Sequence, residues 1–256
     1  VLLFAFESAS GIENLPLPGE IFPVGEHSAF VIEPEKRAPG NPWVWYAPTV
    51  VNLPKSLHTF YFEQFLAAGI AVAGYSQGEV RGSEASSSRF SAFYEAMCER
   101  GYAEKPILLG QSRGGMMLLC WAFRNPDKVG AFAGIYPVCN LKSWPLQRSK
   151  AAVLRDYALT EEEILARLDT LNPPRNLEGL ARNKVPFFLL TGDADEIVPH
   201  TENSVLVQRT YEELGGSVTV KIVPGGGHTG GAAYFEDQAL ADFVLRTAAL
   251  VSPAGR

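Results

Sequence analysis

Short apolar runs alternate with longer amphipathic stretches along most of this chain, a rhythm that predicts strands and helices taking turns. Phe22 to Val24 and Ser28 to Ile32 predict a hairpin turning at Gly25-Glu26, and Trp43 to Tyr46 predicts the next strand. Leu57 to Ala68 has a helical pattern, with Gly69 where a helix-ending glycine belongs. Ile70 to Ala73 is again strand-like, the Gly/Ser-rich stretch from Gly74 to Ser88 reads as a loop, and Phe90 to Arg100 reads as a helix stopped by Gly101. Pro106 to Leu109 predicts a buried strand, and Gly115 to Phe123 is long and apolar enough for a buried helix. Val185 to Thr191 and Val218 to Val223 predict two more strands. Such alternation implies an α/β fold with a doubly wound, mostly parallel sheet. It breaks between 140 and 184. There Thr160-Glu161-Glu162-Glu163 is a capping box for a helix reaching about Leu168, stopped by Asn172-Pro173-Pro174.

Candidate chemistry lies where these elements meet. Gly110-Gln111-Ser112-Arg113-Gly114 reads Gly-x-Ser-x-Gly between a predicted strand and a predicted helix. A serine on so sharp a turn is held at the tip of the sheet, and the flanking glycines avoid collisions with neighbouring backbone. The following helix directs its N-terminal dipole at developing negative charge. The strand at 185–191 leads into Gly192-Asp193-Ala194-Asp195, and the strand at 218–223 leads through Pro224 and three glycines to His228. Serine, acid and histidine therefore follow three strands in turn, where ligands gather in open parallel sheets. A histidine among glycines can merely sit in a surface loop, but a catalytic imidazole must reach both serine and acid, and Gly225-Gly226-Gly227-His228 permits that approach. His27, His58 and His200 have no such position; His58 reads as a solvated helix end, with a place near the site as the alternative.

Other motifs fail on inspection. Gly110 to Gly115 begins like a phosphate-binding loop, but Met116 stands where lysine is needed. Gly225, Gly227 and Gly230 match a dinucleotide pattern, but Pro224 breaks the required turn and too little chain follows. No His, Cys or acid pair has metal-ligand spacing, so neither a metal nor a cofactor is expected.

Composition narrows the function classes. The 256 residues suit one α/β domain spanning 1–256, with 140–184 inserted in it, that buries roughly three-quarters of its unfolded surface. A net charge of −6 lacks the basic bias of a nucleic-acid binder, and no apolar run approaches a membrane span. Cys98, Cys120 and Cys139 are odd in number and scattered, which points to free buried thiols. Val1 to Phe6 lacks a basic n-region and so is not a complete signal peptide; an appended sequence, the tail of a targeting segment and an extra strand all stay open.

On these residues, from about Phe22 to Leu250, the chain resembles an α/β-hydrolase. Its Gly-x-Ser-Arg-Gly-Gly elbow is similar to that of bacterial serine esterases. Ile135 to Leu141 looks like their strand after the nucleophile helix. Members often carry Gly-Asp-x-Asp-x-x-Val-Pro before the histidine, matched here by Gly192 to Pro199. That likeness implies a triad of Ser112, Asp195 and His228, with Asp193 bonding the turn. It also implies that 140–184 forms a cap over the site; an elaborated surface loop is the alternative. The resembled esterases are often exported, which leans localisation slightly towards secreted or periplasmic, with cytoplasmic as the alternative.

The oxyanion hole needs two backbone N–H groups. Arg113 should supply one, and the loop after Trp43 to Trp45 the other. Pro48 has no N–H, which leaves Tyr46 or Ala47, with Ala47 preferred; a His-Gly pair is usual there in the resembled fold. The implied reaction is ester hydrolysis through an acyl-enzyme, on a small-molecule or carbohydrate ester, without a cofactor. A serine peptidase or amidase of the same fold is the alternative, as is a silent ligand-binding homologue, against which an intact triad argues. The Arg113 side chain has three readings, a clamp for a substrate carboxylate, support for the growing oxyanion, or a pairing with an acid such as Glu79, and charge matching favours the pairing. Trp144, within the insertion, offers a stacking face for a sugar ring.

Overall fold

A computed structural model describes residue 12, residues 14–50 and residues 53–251, so the N-terminal readings for Val1 to Phe6 lie outside the described residues. The chain order is β1 (Glu20–Val24), β2 (His27–Ile32), β3 (Trp43–Tyr46), α1 (Thr59–Ala67), β4 (Ala71–Ser76), α2 (Glu84–Glu99), β5 (Ile107–Gln111), α3 (Arg113–Arg124) and β6 (Ala131–Ile135). Residues 140–184, the segment that the sequence reading treats as an insertion, contribute α4 (Trp144–Arg148), α5 (Lys150–Tyr157), α6 (Glu161–Ala166), α7 (Leu168–Leu171) and α8 (Glu178–Arg182). β7 (Phe187–Gly192), α9 (Ser204–Glu213), β8 (Val218–Val223), α10 (Ala232–Phe235) and α11 (Gln238–Val251) complete it.

The strands form one eight-stranded sheet in the order β1-β2-β4-β3-β5-β6-β7-β8. β2 runs antiparallel to both β1 and β4, and all pairings from β4 through β8 are parallel. This is the α/β-hydrolase fold. The side-chain alternation of β3 shows how the sheet is covered on both faces. Trp43 and Trp45 enter one apolar layer with Phe90, Phe93 and Trp121, while Val44 and Tyr46 enter the other with Phe62, Phe65 and Val244. Interior strands β3, β4, β6 and β7 are accordingly buried along their length, whereas edge strand β8 mixes half-buried and exposed positions.

Three expectations need correction. The stretch from Gly74 to Ser88 is not all loop: β4 extends to Ser76 and α2 begins at Glu84. The Ser83 hydroxyl accepts a hydrogen bond from the Ser86 N–H, and this cap starts the helix among serines that propensity alone reads as loop. The strand after the nucleophile helix is Ala131–Ile135, so Tyr136 to Leu141 already lies beyond the sheet. The Thr160 capping box is present, but α6 ends at Ala166 and a separate turn, α7, follows.

The insertion packs on the flank of α3. Val153, Ile164, Leu168 and Leu171 join Met116 and Cys120 in a satellite apolar cluster. Polar ties reinforce it: Arg81 pairs with Asp156, and the Tyr157 hydroxyl donates to the Arg81 carbonyl at 3.0 Å. Among the described residues no helix is long and apolar enough to cross a membrane, and no group of three or more His, Cys, Asp or Glu could hold a metal. Cys120 and Cys139 are buried, Cys98 is half-buried, and all three are free.

Candidate active site

Ser112 sits between the last residue of β5 and the first of α3 with φ 47° and ψ −120°, a conformation that L-residues rarely adopt. The turn persists because its surroundings fix it. The Ser112 N–H donates to Ile135 O at 2.9 Å, and Ser112 O accepts from Val138 and Gly115 at 2.8 and 3.0 Å. Space is the other constraint. A Cβ on Gly110 would lie 2.6 Å from the Gly115 Cα, one on Gly114 2.7 Å from Ala47 O, and one on Gly115 2.5 Å from the Pro137 Cβ. Each glycine of the motif therefore lets the elbow, β3 and the loop after β6 approach one another.

The three sequence-predicted partners come together here. Ser112 Oγ lies 2.9 Å from His228 Nε2, and His228 Nδ1 lies 2.8 Å from Asp195 Oδ2. The Asp195 side chain is fully buried, and its other oxygen accepts the N–H groups of Ile197 and Val198 at 2.9 and 2.8 Å. Burial pushes the Asp195 carboxyl up, but the His228 hydrogen bond and these two amides outweigh it and hold the group below its ordinary value of 3.8. Asp193 faces elsewhere and accepts the Gly225 N–H at 2.6 Å, shaping the turn that carries His228.

The acid loop has an anchor that sequence reasoning missed. Asn203, fully buried, accepts the N–H groups of Cys139 and Asn140 at 2.9 and 3.2 Å and donates to Pro199 O and Ser143 Oγ at 2.9 and 3.0 Å. It ties the loop after β7 to the loop after β6. An asparagine leading into a helix was the available signal, but its partners are distant in sequence.

A polar base under the elbow was also missed. Gln111, the variable position of Gly-x-Ser, points its Oε1 at His58 Nε2 (2.8 Å) and the Tyr46 hydroxyl (2.9 Å), and its Nε2 at the Tyr136 hydroxyl (3.2 Å). His58 is thus no solvated helix end. It is fully buried, and burial outweighs its hydrogen bonds and lowers its pKa from the ordinary 6.5. Tyr136 has φ 33° and lays its ring 4.3 Å from that of His228.

Around Ser112 lies a cavity of about 230 Å³, lined by Thr49, Leu53, Lys55, Leu57, Gln111, Arg113, Tyr136, His228, Thr229 and Gly230. Arg113 lines it, and its guanidinium is matched, donating to Glu79 Oε2 at 2.5 Å and lying 5.6 Å from the centre of the Trp144 ring. Glu79 also meets Arg81 at 3.3 Å, and Arg81 pairs with Asp156, so alternating charges connect the elbow to the insertion. None of the described cavity-lining residues comes from 140–184; the insertion approaches the site through Trp144. At the first turn of α3 the Arg113 amide has no acceptor within the helix. Tyr46 ends β3 with its hydroxyl committed to Gln111, and Ala47 follows with its carbonyl against Gly114.

A match to the prolyl oligopeptidase family spans residues 75–249, more than half of the chain. The chain belongs to this family. It is a serine hydrolase. Solved structures with the same fold include a puromycin-hydrolyzing peptidase from Mycobacterium tuberculosis (TM-score 0.71, 14% identity, 92% of this chain and 39% of that one). Est1E from Butyrivibrio proteoclasticus is similar over 90% of this chain and 99% of its own (TM-score 0.66, 14% identity). A truncated carbohydrate esterase from gut microbiota matches over 94% and 100% (TM-score 0.69, 16% identity). The chain thus spans about two fifths of the mycobacterial peptidase but nearly all of the two esterases. No curated protein matches it.

Proposed function

We propose that this chain hydrolyses carboxylic esters with short acyl groups, through an acyl-enzyme formed on Ser112. The observation that carries the reading is the Ser112–His228–Asp195 relay opening on a cavity of about 230 Å³. His228 Nε2 takes the proton of Ser112 Oγ as the oxygen attacks the carbonyl. The N–H groups of Arg113 and Ala47 receive the negative charge on the carbonyl oxygen. His228 returns the proton to the departing alcohol, then takes one from the water that releases the acid. Asp195, kept ionised by its amide donors, orients the imidazole and stabilises its cation.

An ester is favoured because alkoxide leaves more readily than amide nitrogen, and because a small cavity offers little room for an extended peptide. Membership in the prolyl oligopeptidase family supports a second reading, cleavage of an aminoacyl or peptidyl amide. Trp144 beside the cavity-lining Arg113 provides an aromatic surface for a sugar, with the insertion as a cap, so acylated carbohydrates are the first natural class to screen. Competition between p-nitrophenyl esters of graded chain length and peptide p-nitroanilides separates these readings. kcat/KM should be highest for the shortest acyl chains. Nitroanilide turnover equal to that of the esters would shift the assignment to a peptidase.

A further inference from the structure

The hydrogen-bond polarity under the elbow carries a consequence for substrate choice. His58 Nδ1 lies 3.2 Å from the Lys55 amide nitrogen and 3.0 Å from the Lys55 carbonyl oxygen, and its Nε2 lies 2.8 Å from Gln111 Oε1. That amide oxygen can only accept, so Nε2 carries a proton and donates to it. Tyr46, buried without exposure, gives that same oxygen its hydroxyl proton. Two donors on one face fix the orientation of the Gln111 amide, which turns its NH₂ to Tyr136. The Tyr136 oxygen is then an acceptor at 3.2 Å, and its own proton has no acceptor among the described residues. Burial holds this phenol protonated, with a pKa raised to about 12. Its ring is gripped by Tyr234 and Phe235 and lies against His228, and both Gln111 and Tyr136 line the cavity.

We propose that the Tyr136 hydroxyl is a substrate-binding donor, aimed into the cavity by Gln111 and His58, and that it selects esters carrying an acceptor oxygen close to the scissile carbonyl over hydrocarbon ones. An unpaired donor in a confined site rejects an apolar group, because that group leaves the donor unsatisfied. The backbone of Tyr136, at φ 33°, is held in an uncommon conformation by the Leu190 carbonyl accepting its N–H at 2.6 Å. Such conformations concentrate at ligand sites. The inference rests on the acyl-transfer reading of Ser112.

The test uses p-nitrophenyl methoxyacetate and p-nitrophenyl butyrate, which exchange one oxygen for one methylene at nearly constant shape. Their kcat/KM ratio is measured for the wild-type chain, Tyr136→Phe and Gln111→Glu, and compared between proteins so that intrinsic ester reactivity cancels. Tyr136→Phe should lower the methoxyacetate-to-butyrate ratio about threefold to tenfold, the worth of one neutral hydrogen bond. Gln111→Glu keeps the tyrosine but offers it a second acceptor, so its proton turns towards the carboxylate and the ratio should fall similarly. A purely structural role would lower kcat on both esters together and leave the ratio alone. Wild-type turnover with an unchanged ratio in both variants would overturn this inference while leaving acyl transfer intact. No wild-type turnover of either ester would overturn the acyl-transfer reading, and this inference with it.

Discussion

The elbow and the insertion at 140–184 touch the same helix, α3, but are held to it by different physics. At the elbow, backbone meets backbone: Gly114 sits against Ala47 O and Gly115 against Pro137, with a polar base of Gln111, His58 and Tyr46 beneath. The insertion lies on the flank of α3 through aliphatic side chains, Val153, Ile164, Leu168 and Leu171 on Met116 and Cys120, and through the Arg81–Asp156 pair. Close approach and directed hydrogen bonds fix atoms to fractions of an ångström, as an in-line proton relay requires. Aliphatic packing fixes volume and tolerates small shifts. Changes at the elbow and its partners should therefore register in turnover first, and changes in the insertion should register in stability first.

The largest separation is expected at the acid. Asp195→Asn should lower kcat by about ten-thousandfold, the size found for the same change in a serine protease, because the imidazole then adopts the wrong tautomer. Asp193→Asn weakens only the bond to the Gly225 N–H and should cost about 1 kcal/mol of stability, with kcat within tenfold of wild type. Steady-state kinetics beside denaturant melts read both, and equal losses of kcat would break the assignment of the two acids.

The converse experiment belongs to the insertion. Ile164, fully buried in the satellite cluster, should cost about 2–5 kcal/mol of unfolding free energy on truncation to alanine. At temperatures where the variant stays folded, its kcat on a short ester should change by less than about threefold. A kcat loss as deep as that of Asp195→Asn, in a folded variant, would mean that the insertion and the elbow act as one unit.

These two regions were also unequally legible in the sequence. Ser112, an acid and His228 could be placed because each follows a strand, and the topology of a parallel sheet delivers strand ends to one edge; the choice of Asp195 over Asp193 came from the likeness to the α/β-hydrolase pattern. The pairing of Arg113 with Glu79 was legible from charge matching alone. Gln111, His58, Tyr136 and Asn203 were not, because their meaning lies in partners distant along the chain: Gln111 bonds His58 across 53 positions and Asn203 bonds Cys139 across 64. His58 looked like a helix end facing water because it does stand at one, in the short turn before α1; the packing of Tyr46, Phe62 and Phe235 around it makes that end interior. Helix α2 was read short because its first turn is serine-rich, and the Ser83 cap overrides what propensity favours.

A smaller effect sharpens the picture of the polar base. The pKa of His58 is lowered in the folded chain, so between 6.5 and its folded value the unfolded chain binds a proton that the folded one refuses. Stability should be complete above pH 6.5 and should decline as pH falls below it. His27, lowered first by burial and then by Arg89, adds a contribution of the same sign. Urea midpoints at about pH 8 and about pH 5.5 should therefore differ in the wild-type chain and differ less in His58→Gln. An unchanged difference in the variant would show that His58 does not carry the pH dependence.

The central claim, that this chain is a serine hydrolase working through Ser112, meets its most direct test in covalent labelling. A fluorophosphonate probe, followed by peptide mass spectrometry, should modify Ser112 stoichiometrically and no other serine, and the adduct should disappear in Ser112→Ala. That variant should retain only about one millionth of the wild-type kcat on a short p-nitrophenyl ester. Labelling elsewhere, or near-wild-type turnover in Ser112→Ala, would contradict the account.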